Sequence, residues 1–359
     1  MNLERELSRF DDTLPLERAS TPPASWYTSE AFHRLERGVF AGSWQLVGHR
    51  AQLTESGRFI AGTIAAQPYV VLNDGGVLRA FHNVCRHKGT PVAVGEQGCL
   101  DQLTCPYHGW VYGLDGRLKR APQLGGIKDF DRAEFGLAPM RVETWGPLVL
   151  VAADPDVPDL VSWLGGLQTR LEATGWAALR HRASGRYELD CNWKVFADNY
   201  LDGGYHIAHM HPGLAAQLDL DRYETELLER SSVQTCPGVD EVRVGDQAFY
   251  AWVYPNLMLN RYGPVLDTNL VLPLGPERCE VRFEYFFAEG VEDDWIAASI
   301  ANTDQTQRED IQISEWVQQG MRSPAFDRGR YAPAREKGIY QFHRLLAADL
   351  RRYFSSESF

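Results

Sequence analysis

The sequence predicts an α+β protein in which an all-β module precedes a region that mixes strands and helices. Three observations support this. Between about residues 43 and 153 the chain consists of short apolar runs, such as 69–72. These runs are separated by turn-forming segments, such as the Asn-Asp-Gly-Gly sequence at 73–76. After the segment 154–158, helical spacing and alternating strands both occur.

The predicted elements follow in chain order. Residues 26–42 have helical spacing, because Phe32, Leu35, Val39 and Phe40 recur at steps of three and four. The same argument predicts further helices at 159–174, 192–211 and 293–321. Strands are expected within 247–288, where aromatic residues alternate. The region after the module therefore contains both kinds of element.

Turn chemistry and composition divide the chain into three parts. Residues 1–42 are predicted to form an N-terminal arm and a helix that pack on the last domain. Residues 43–155 are expected to form the all-β domain, and residues 156–359 a second domain that mixes strands and helices. The Asp-Pro-Asp-Val-Pro segment before position 159 supports the second boundary, because Pro and Asp favour turns and linkers.

Composition excludes several classes of protein. The chain has 359 residues, a net charge of −12, 6 Cys and 10 His. So few Cys exclude a disulfide scaffold and favour a reducing, cytoplasmic setting. We expect no membrane partner, because the sequence has no long apolar run and its N-terminus lacks the apolar core of a secretory signal. The acidic balance also argues against nucleic acid as a partner.

Four side chains of metal-binding types lie in one stretch of 24 residues within the β module: Cys85, His87, Cys105 and His108. Thiolates and imidazoles together suit zinc or iron–sulfur chemistry. Zinc sites usually pair like ligands, whereas here each loop carries one Cys and one His. Two such loops can each give one ligand to each iron of a Rieske [2Fe–2S] cluster, which we favour over a closed zinc site. The other cysteines are expected to be packing residues: Cys99, Cys191, Cys236 and Cys279.

A second group of metal-binding residues lies near Pro212. Helix geometry alone favours His206 and His209 as a ligand pair, because residues three apart share a face. His211 is five residues from His206, which would place the two side chains about 140° apart on an ideal helix. Pro212 disfavours a helical conformation at His211, however, so this geometry does not exclude His211 as a ligand. Two His and one carboxylate form the ligand set of non-haem Fe(II) oxygenases.

The third ligand must come from elsewhere in the chain. Asp310 is the preferred candidate, because it shares a helix face with Ile313 and Val317 and is expected to point inward. Glu309 is the nearest rival. The sequence therefore predicts a site that joins the His-rich segment to a helix about 100 residues later.

The two motifs in this order resemble the α subunits of Rieske non-haem iron oxygenases, the aromatic-ring-hydroxylating dioxygenase family. The segments 198–206, 311–320 and 323–331 are similar to the choline monooxygenase branch. The resemblance implies a helix-grip catalytic domain, in which an antiparallel sheet wraps around a long helix. It also implies that His206, His211 and Asp310 bind a mononuclear Fe(II), with His209 as a neighbour.

The resemblance further implies catalytic roles for Asp202 and Asn199. Many family members carry an acid three residues before the first His, which bridges to the Rieske His of a neighbouring subunit. Gly203 stands at that offset here, and Asp202 is one residue further back. We expect the extra glycine to be a local insertion and Asp202 to keep the bridging role. The implied partners are a ferredoxin or flavin reductase, a small-molecule substrate, O2 and two further copies in a homotrimer.

The branch resemblance implies choline or a related methylated ammonium compound as substrate, converted by hydroxylation or N-demethylation. An aromatic cage would bind such a cation, and its candidate residues are Tyr205, Trp252, Tyr254 and Tyr262, although alternating aromatics on strands are more often core packing. Other aromatics at alternating strand positions are Tyr250, Phe283 and Tyr285. Two alternatives stay open: oxygenation of an aromatic or natural-product substrate, and a Rieske electron carrier without oxygenase activity. Iron analysis distinguishes the electron carrier from an oxygenase, since a carrier holds about two Fe per chain and an oxygenase about three.

Overall fold

The computed structural model describes residues 2–239 and 244–356 and divides the chain into two compact units. The smaller unit is Phe40–Leu160. The larger unit combines Met1–Val39 with Val161–Phe359. The segment before the β module therefore folds with the C-terminal region. No helix among the described residues has both the length and the apolar character that a bilayer crossing requires.

The smaller unit is all β, as the turn-rich texture predicts. One sheet has the strand order β1-β10-β9-β4-β3-β2-β5, and a second, small sheet has the order β6-β7-β8. The strands are β1 Gln45–His49, β2 Arg58–Ile64, β3 Gln67–Asp74, β4 Val77–His82, β5 Gln97–Cys99, β6 Leu103–Thr104, β7 Val111–Tyr112, β8 Leu118–Arg120, β9 Pro139–Trp145 and β10 Leu148–Ala152.

The larger unit contains one antiparallel sheet with the order β11-β17-β16-β15-β14-β13-β12. Its strands are β11 Arg180–Leu189, β12 Glu224–Leu227, β13 Ser231–Pro237, β14 Gln247–Val253, β15 Leu257–Tyr262, β16 Val265–Gly275 and β17 Arg278–Phe287. Four polar or aromatic residues pair across successive strands and form a row on one face: Gln234, Tyr250, Asn260 and Asp267. This face lines the site described below.

The helices belong mainly to the larger unit. They are α1 Leu3–Ser8, α2 Ser25–Thr28, α3 Glu30–Ala41, α4 Leu160–Leu164, α5 Gly166–Glu172, α6 Trp193–Tyr200, α7 Ile207–Met210, α8 Pro212–Ala215, α9 Asp293–Met321 and α10 Lys337–Ser356. The long helix α9 packs against α6 and β11. The predicted α+β class, with an antiparallel sheet and a long helix in the catalytic domain, is confirmed.

Two predicted helices are interrupted by glycines. The helix expected at 192–211 ends as α6 at Tyr200, and α7 begins only at Ile207. Between them Gly203 and Gly204 have φ of 69° and 74°, a left-handed conformation that stops a right-handed helix. Gly165, with φ of 50°, likewise divides the helix expected at 159–174. Helical spacing alone did not reveal these breaks, because it does not record the backbone conformation that the glycines adopt.

A buried ion pair ties α3 to α6 within the larger unit. The Lys194 ammonium donates a hydrogen bond to Glu36, and both side chains are almost fully buried. The Trp193 indole N–H also donates to Glu36, at 2.8 Å. Burial lowers the pKa of Lys194, whereas the neighbouring Glu36 raises it. Each charge is therefore tolerated in the interior only because the other is present.

Replacing Glu36 with Ala should lower the free energy of unfolding by about 3–5 kcal/mol, because it leaves a buried ammonium without its carboxylate. Denaturant unfolding measures this. The double variant Glu36→Leu/Lys194→Met should recover part of the loss, since only the indole N–H then lacks its acceptor. Arg37→Ala, at an exposed position of the same helix, should cost less than about 0.5 kcal/mol. An equal cost for Glu36→Ala and Arg37→Ala would contradict the assignment.

Candidate metal centres and substrate cavity

Two tight turns of the smaller unit present the predicted cluster residues. In the first turn the Gly89 N–H donates to the Cys85 carbonyl at 2.9 Å, and in the second the Gly109 N–H donates to the Cys105 carbonyl at 3.1 Å. Gly89 and Gly109 have φ of 82° and 69°, which a side chain would make costly. The two turns thus repeat one geometry, each with its Cys at the start and its His inside.

The two predicted His ligands lie close together on these turns, and both predicted Cys ligands are buried. Both Cys side chains are 2% exposed. The rings of His87 and His108 lie 4.6 Å apart, and the His87 ring stacks on Trp110 at 5.0 Å. The buried Nδ1 atom of His87 has no hydrogen-bond partner among the described residues. Two thiols, two imidazoles and an unpartnered ring nitrogen fit a [2Fe–2S] cluster held by two Cys and two His.

Tyr112 is a functional candidate that the sequence patterns do not identify. Its hydroxyl oxygen lies 3.3 Å from Cys85 Sγ and accepts a hydrogen bond from the Arg86 N–H at 2.9 Å. Burial, followed by the contact with Cys85, raises the pKa of Tyr112. The protonated hydroxyl can therefore donate to the sulfur, and such hydrogen bonds tune the potential of a cluster.

The second centre brings together His206, His211 and Asp310 in the larger unit. One ligand atom from each lies within 4.8 Å of the other two. The Nε2 atoms of His206 and His211 are 3.7 and 3.0 Å from Asp310 Oδ1. His209, which helix geometry alone favours, is exposed and lies outside this group. The ligand set has the composition of a two-His, one-carboxylate iron site with open positions.

Two carboxylates hold the imidazole ligands in place. Asp202 Oδ2 lies 2.7 Å from His206 Nδ1, and Glu309 Oε2 lies 2.6 Å from His211 Nδ1. Each carboxylate favours a proton on Nδ1, which makes Nε2, the atom that faces Asp310, the ring nitrogen available to a metal ion. The predicted rival ligand, Glu309, thus orients a ligand in this arrangement.

The amide of Asn199 donates to Asp310 Oδ1 at 2.6 Å. This contact places Asn199, in the last turn of α6, directly on the carboxylate of the predicted triad. Burial lowers the pKa of His211, but hydrogen bonds and charge from Asp310 and Glu309 outweigh burial and raise it overall. The site therefore stabilises a positive charge at this point, which a metal ion supplies when it displaces the proton.

The two glycines after Asp202 make this geometry possible. A Cβ atom on Gly203 would lie 2.4 Å from the Arg335 carbonyl oxygen, and one on Gly204 would lie 2.8 Å from the Tyr223 ring. Asp202 accepts hydrogen bonds from the Tyr205 and His206 N–H groups at 3.1 and 2.9 Å. Gly203 and Gly204 thus form a tight turn in which Asp202 contacts His206.

A cavity with an empty volume of about 660 Å³, partly open to solvent, adjoins the triad. Its aromatic lining comes from Tyr200, Tyr223, Tyr250 and Phe283, together with Phe196. The amides of Gln234, Asn260, Asn269 and Gln307 supply most of its polar lining beyond the metal site. None of the described lining residues is Lys or Arg. Such a cavity can bind a small cation that carries few hydrogen-bonding groups.

The four aromatics predicted to bind substrate lie outside this lining. Tyr205 is 55% exposed. Trp252 and Tyr254 contact each other at 5.9 Å, and both are fully buried. The Tyr262 hydroxyl donates to Asp267 at 2.9 Å. Alternation identifies which strand residues share a face but not which part of that face a helix covers, so Tyr250 and Phe283 line the cavity instead.

Comparison with known proteins agrees with both centres. Residues 43–131 match the model of the Rieske [2Fe–2S] domain, and residues 176–351 match that of the ring-hydroxylating α subunit catalytic domain. The chain belongs to the Rieske non-haem iron oxygenase family, whose members are oxidoreductases. It is accordingly an enzyme with a Rieske [2Fe–2S] cluster and a mononuclear iron.

Within this family the chain is similar to enzymes of quaternary ammonium compounds. It is 44% identical to the chloroplastic choline monooxygenase of Arabidopsis thaliana, over 98% of this chain and 87% of that protein. It is 31% identical to the carnitine monooxygenase oxygenase subunit of Escherichia coli K12, over 92% of this chain and 94% of that protein. A solved quaternary ammonium Rieske monooxygenase, studied for carnitine oxidation and inter-subunit electron transfer, matches with a TM-score of 0.85 and 26% identity, covering 94% of this chain and 98% of that chain.

Replacing His211 with Ala should lower the iron content from about three to about two per chain, because the mononuclear site loses a ligand while the cluster is retained. Metal analysis together with the visible absorption of the cluster measures this. His206→Ala should behave alike. His209→Ala is the matched control and should retain about three iron atoms per chain. Loss of iron from this variant would instead support His206 and His209 as the two His ligands.

Replacing Glu309 with Gln should weaken binding of the mononuclear iron by about 10–100-fold, because His211 loses the charged acceptor on Nδ1. Chelator competition under anaerobic conditions measures the affinity. Glu315→Gln, on the same helix but outside the triad, should leave the affinity unchanged. If Glu309→Gln removed the iron as completely as His211→Ala, Glu309 would be a ligand itself.

Proposed function

We propose that the protein hydroxylates choline at the carbon that bears its hydroxyl group. One atom of O2 enters the C–H bond and the other becomes water, with the two electrons supplied from outside. The resulting geminal diol loses water to give betaine aldehyde. The observation that carries the proposal is the identity with plant choline monooxygenase over almost the whole chain. An N-demethylation of a related methylated ammonium compound would use the same site.

The cavity supports a quaternary ammonium substrate on physical grounds. A cation is attracted to the faces of aromatic rings, and Tyr223, Tyr250 and Phe283 line the space next to the triad. No guanidinium or ammonium among the described lining residues would repel the cation or bind a carboxylate. Choline has a positive charge and no carboxylate, so it fits this lining better than carnitine, which has both.

His206, His211 and Asp310 are proposed to hold the mononuclear iron, which activates O2 when bound. Three protein ligands leave positions open beside the cavity. Asn199 is proposed to position the Asp310 carboxylate through its amide hydrogen bond of 2.6 Å. The role of these side chains is to fix the ligand geometry before substrate arrives, which limits reorganisation during the reaction.

Asp202 is proposed to carry the link between the centres of adjacent subunits. It already contacts His206 Nδ1, so one further hydrogen bond from a neighbouring subunit would complete the bridge. Cys85, His87, Cys105 and His108 are proposed as the cluster ligands that receive electrons from a ferredoxin or flavin reductase. The bridging role implies a closed assembly, for which we propose a homotrimer. The free thiols are consistent with a cytoplasmic location.

Oxygen uptake with a substrate panel tests the proposal. With a reductase and NADH, choline should stimulate O2 consumption and yield betaine aldehyde in equal amount. Carnitine and γ-butyrobetaine should stimulate it far less, because the cavity offers their carboxylate no cation. The variant His211→Ala serves as the control for uncoupled consumption by the reductase. Choline without uptake or product would exclude choline oxidation, and activity on an aromatic compound would support that alternative.

A further inference from the structure

An amide in the cavity wall has a donor that nothing in the described part of the protein uses. Asn269, on β16, lines the cavity and is 3% exposed. Its Nδ2 atom is buried and has no hydrogen-bond partner among the described residues. A buried polar group without a partner is costly, so such a group in a ligand cavity indicates a bond made by the ligand.

The orientation of this amide is set by its neighbours. Asn260 Nδ2 donates to Asp267 Oδ1 at 2.6 Å and to Asn269 Oδ1 at 2.9 Å. A carboxylate only accepts, so Asp267 requires the NH2 group of Asn260 to face it. That NH2 group in turn requires the oxygen of Asn269. The Tyr200 hydroxyl supports the same orientation of Asn260, because it donates to Asn260 Oδ1 at 2.9 Å. Asn269 is therefore held with its NH2 group unpaired.

An aromatic ring lies beside this donor. Asn269 and Phe283 are directly opposed on β16 and β17, so their side chains leave the same face of the sheet about 5 Å apart. Phe283 also lines the cavity and is 3% exposed. In choline the hydroxyl oxygen and the ammonium nitrogen are separated by two carbons. A hydrogen-bond donor next to an aromatic ring is complementary to these two groups.

Building on the proposed function, we propose that Asn269 is a specificity-determining residue whose Nδ2 donates to the hydroxyl oxygen of the substrate. Asp267, acting through Asn260, is a positioning residue that keeps this donor directed into the cavity. The site would then select a hydroxylated quaternary ammonium compound over the same compound without the hydroxyl group. A site that hydrogen-bonds a substrate hydroxyl discriminates in this way, because its own polar group is unpaired with the analogue.

Paired ligands that differ only in the hydroxyl group test this. Anaerobic calorimetry of the iron-loaded protein would give the Kd of choline and of ethyltrimethylammonium. The wild type should prefer choline by about tenfold, which corresponds to one uncompensated hydrogen bond. In Asn269→Leu the preference should fall to about one, because choline binds more weakly and the analogue does not. Asp267→Asn should lower the preference partly, since the amide of Asn260 is then free to reverse.

Two further variants distinguish a hydrogen bond from Asn269 from a general change in the cavity. Thr268→Val changes the next residue on β16, whose side chain faces away from the cavity, and should keep the wild-type preference. Iron content and cluster absorption establish that each variant is folded. An Asn269→Leu protein that keeps the tenfold preference overturns the inference while choline turnover stands. If the preference for choline is lost in Gln307→Leu but kept in Asn269→Leu, the inference is overturned, and the Gln307 amide is the group that binds the substrate hydroxyl. Absence of choline binding to the wild type overturns both proposals.

Discussion

Two carboxylate–imidazole hydrogen bonds organise the mononuclear site in the larger unit. Asp202 and Glu309 approach the Nδ1 atoms of His206 and His211 at 2.7 and 2.6 Å. Because each bond fixes both the rotation and the tautomer of its ring, both Nε2 atoms face Asp310. Without these bonds either ring could turn, and the three ligand atoms would no longer converge.

The backbone between α6 and α7 is shaped by this requirement. A continuous helix would place His206 and His211 about 140° apart around its axis. The left-handed glycines after Asp202 end α6 and let the chain return as a turn, which brings both rings to one side. Helix α9 packs against α6 and carries Glu309 and Asp310 to the two rings.

The cavity is lined by aromatic rings and amides, and its charged lining residues lie at the metal site. Rings from the sheet and from α6 attract a cation, while buried amides are ordered by a neighbouring carboxylate on the sheet. We propose that such an arrangement distinguishes substrates by their hydrogen-bonding groups, because a buried amide stays unpaired with an analogue that lacks the matching group. The similarity to choline and carnitine enzymes is consistent with this chemistry.

The sequence alone determined the class of the protein, because ligand residues in loops are conspicuous by type and spacing. The two Cys–His pairs, the β texture around them and the long helix at 293–321 were all predictable from local patterns. Helix periodicity alone favoured His209, whereas the family resemblance implied His211; the tertiary structure places His211 beside Asp310, because glycine torsion angles interrupt the helix. It also decided that Tyr250 and Phe283 line the cavity while Trp252 and Tyr254 do not. That choice depends on where helices cover the sheet, a long-range contact that no local pattern records.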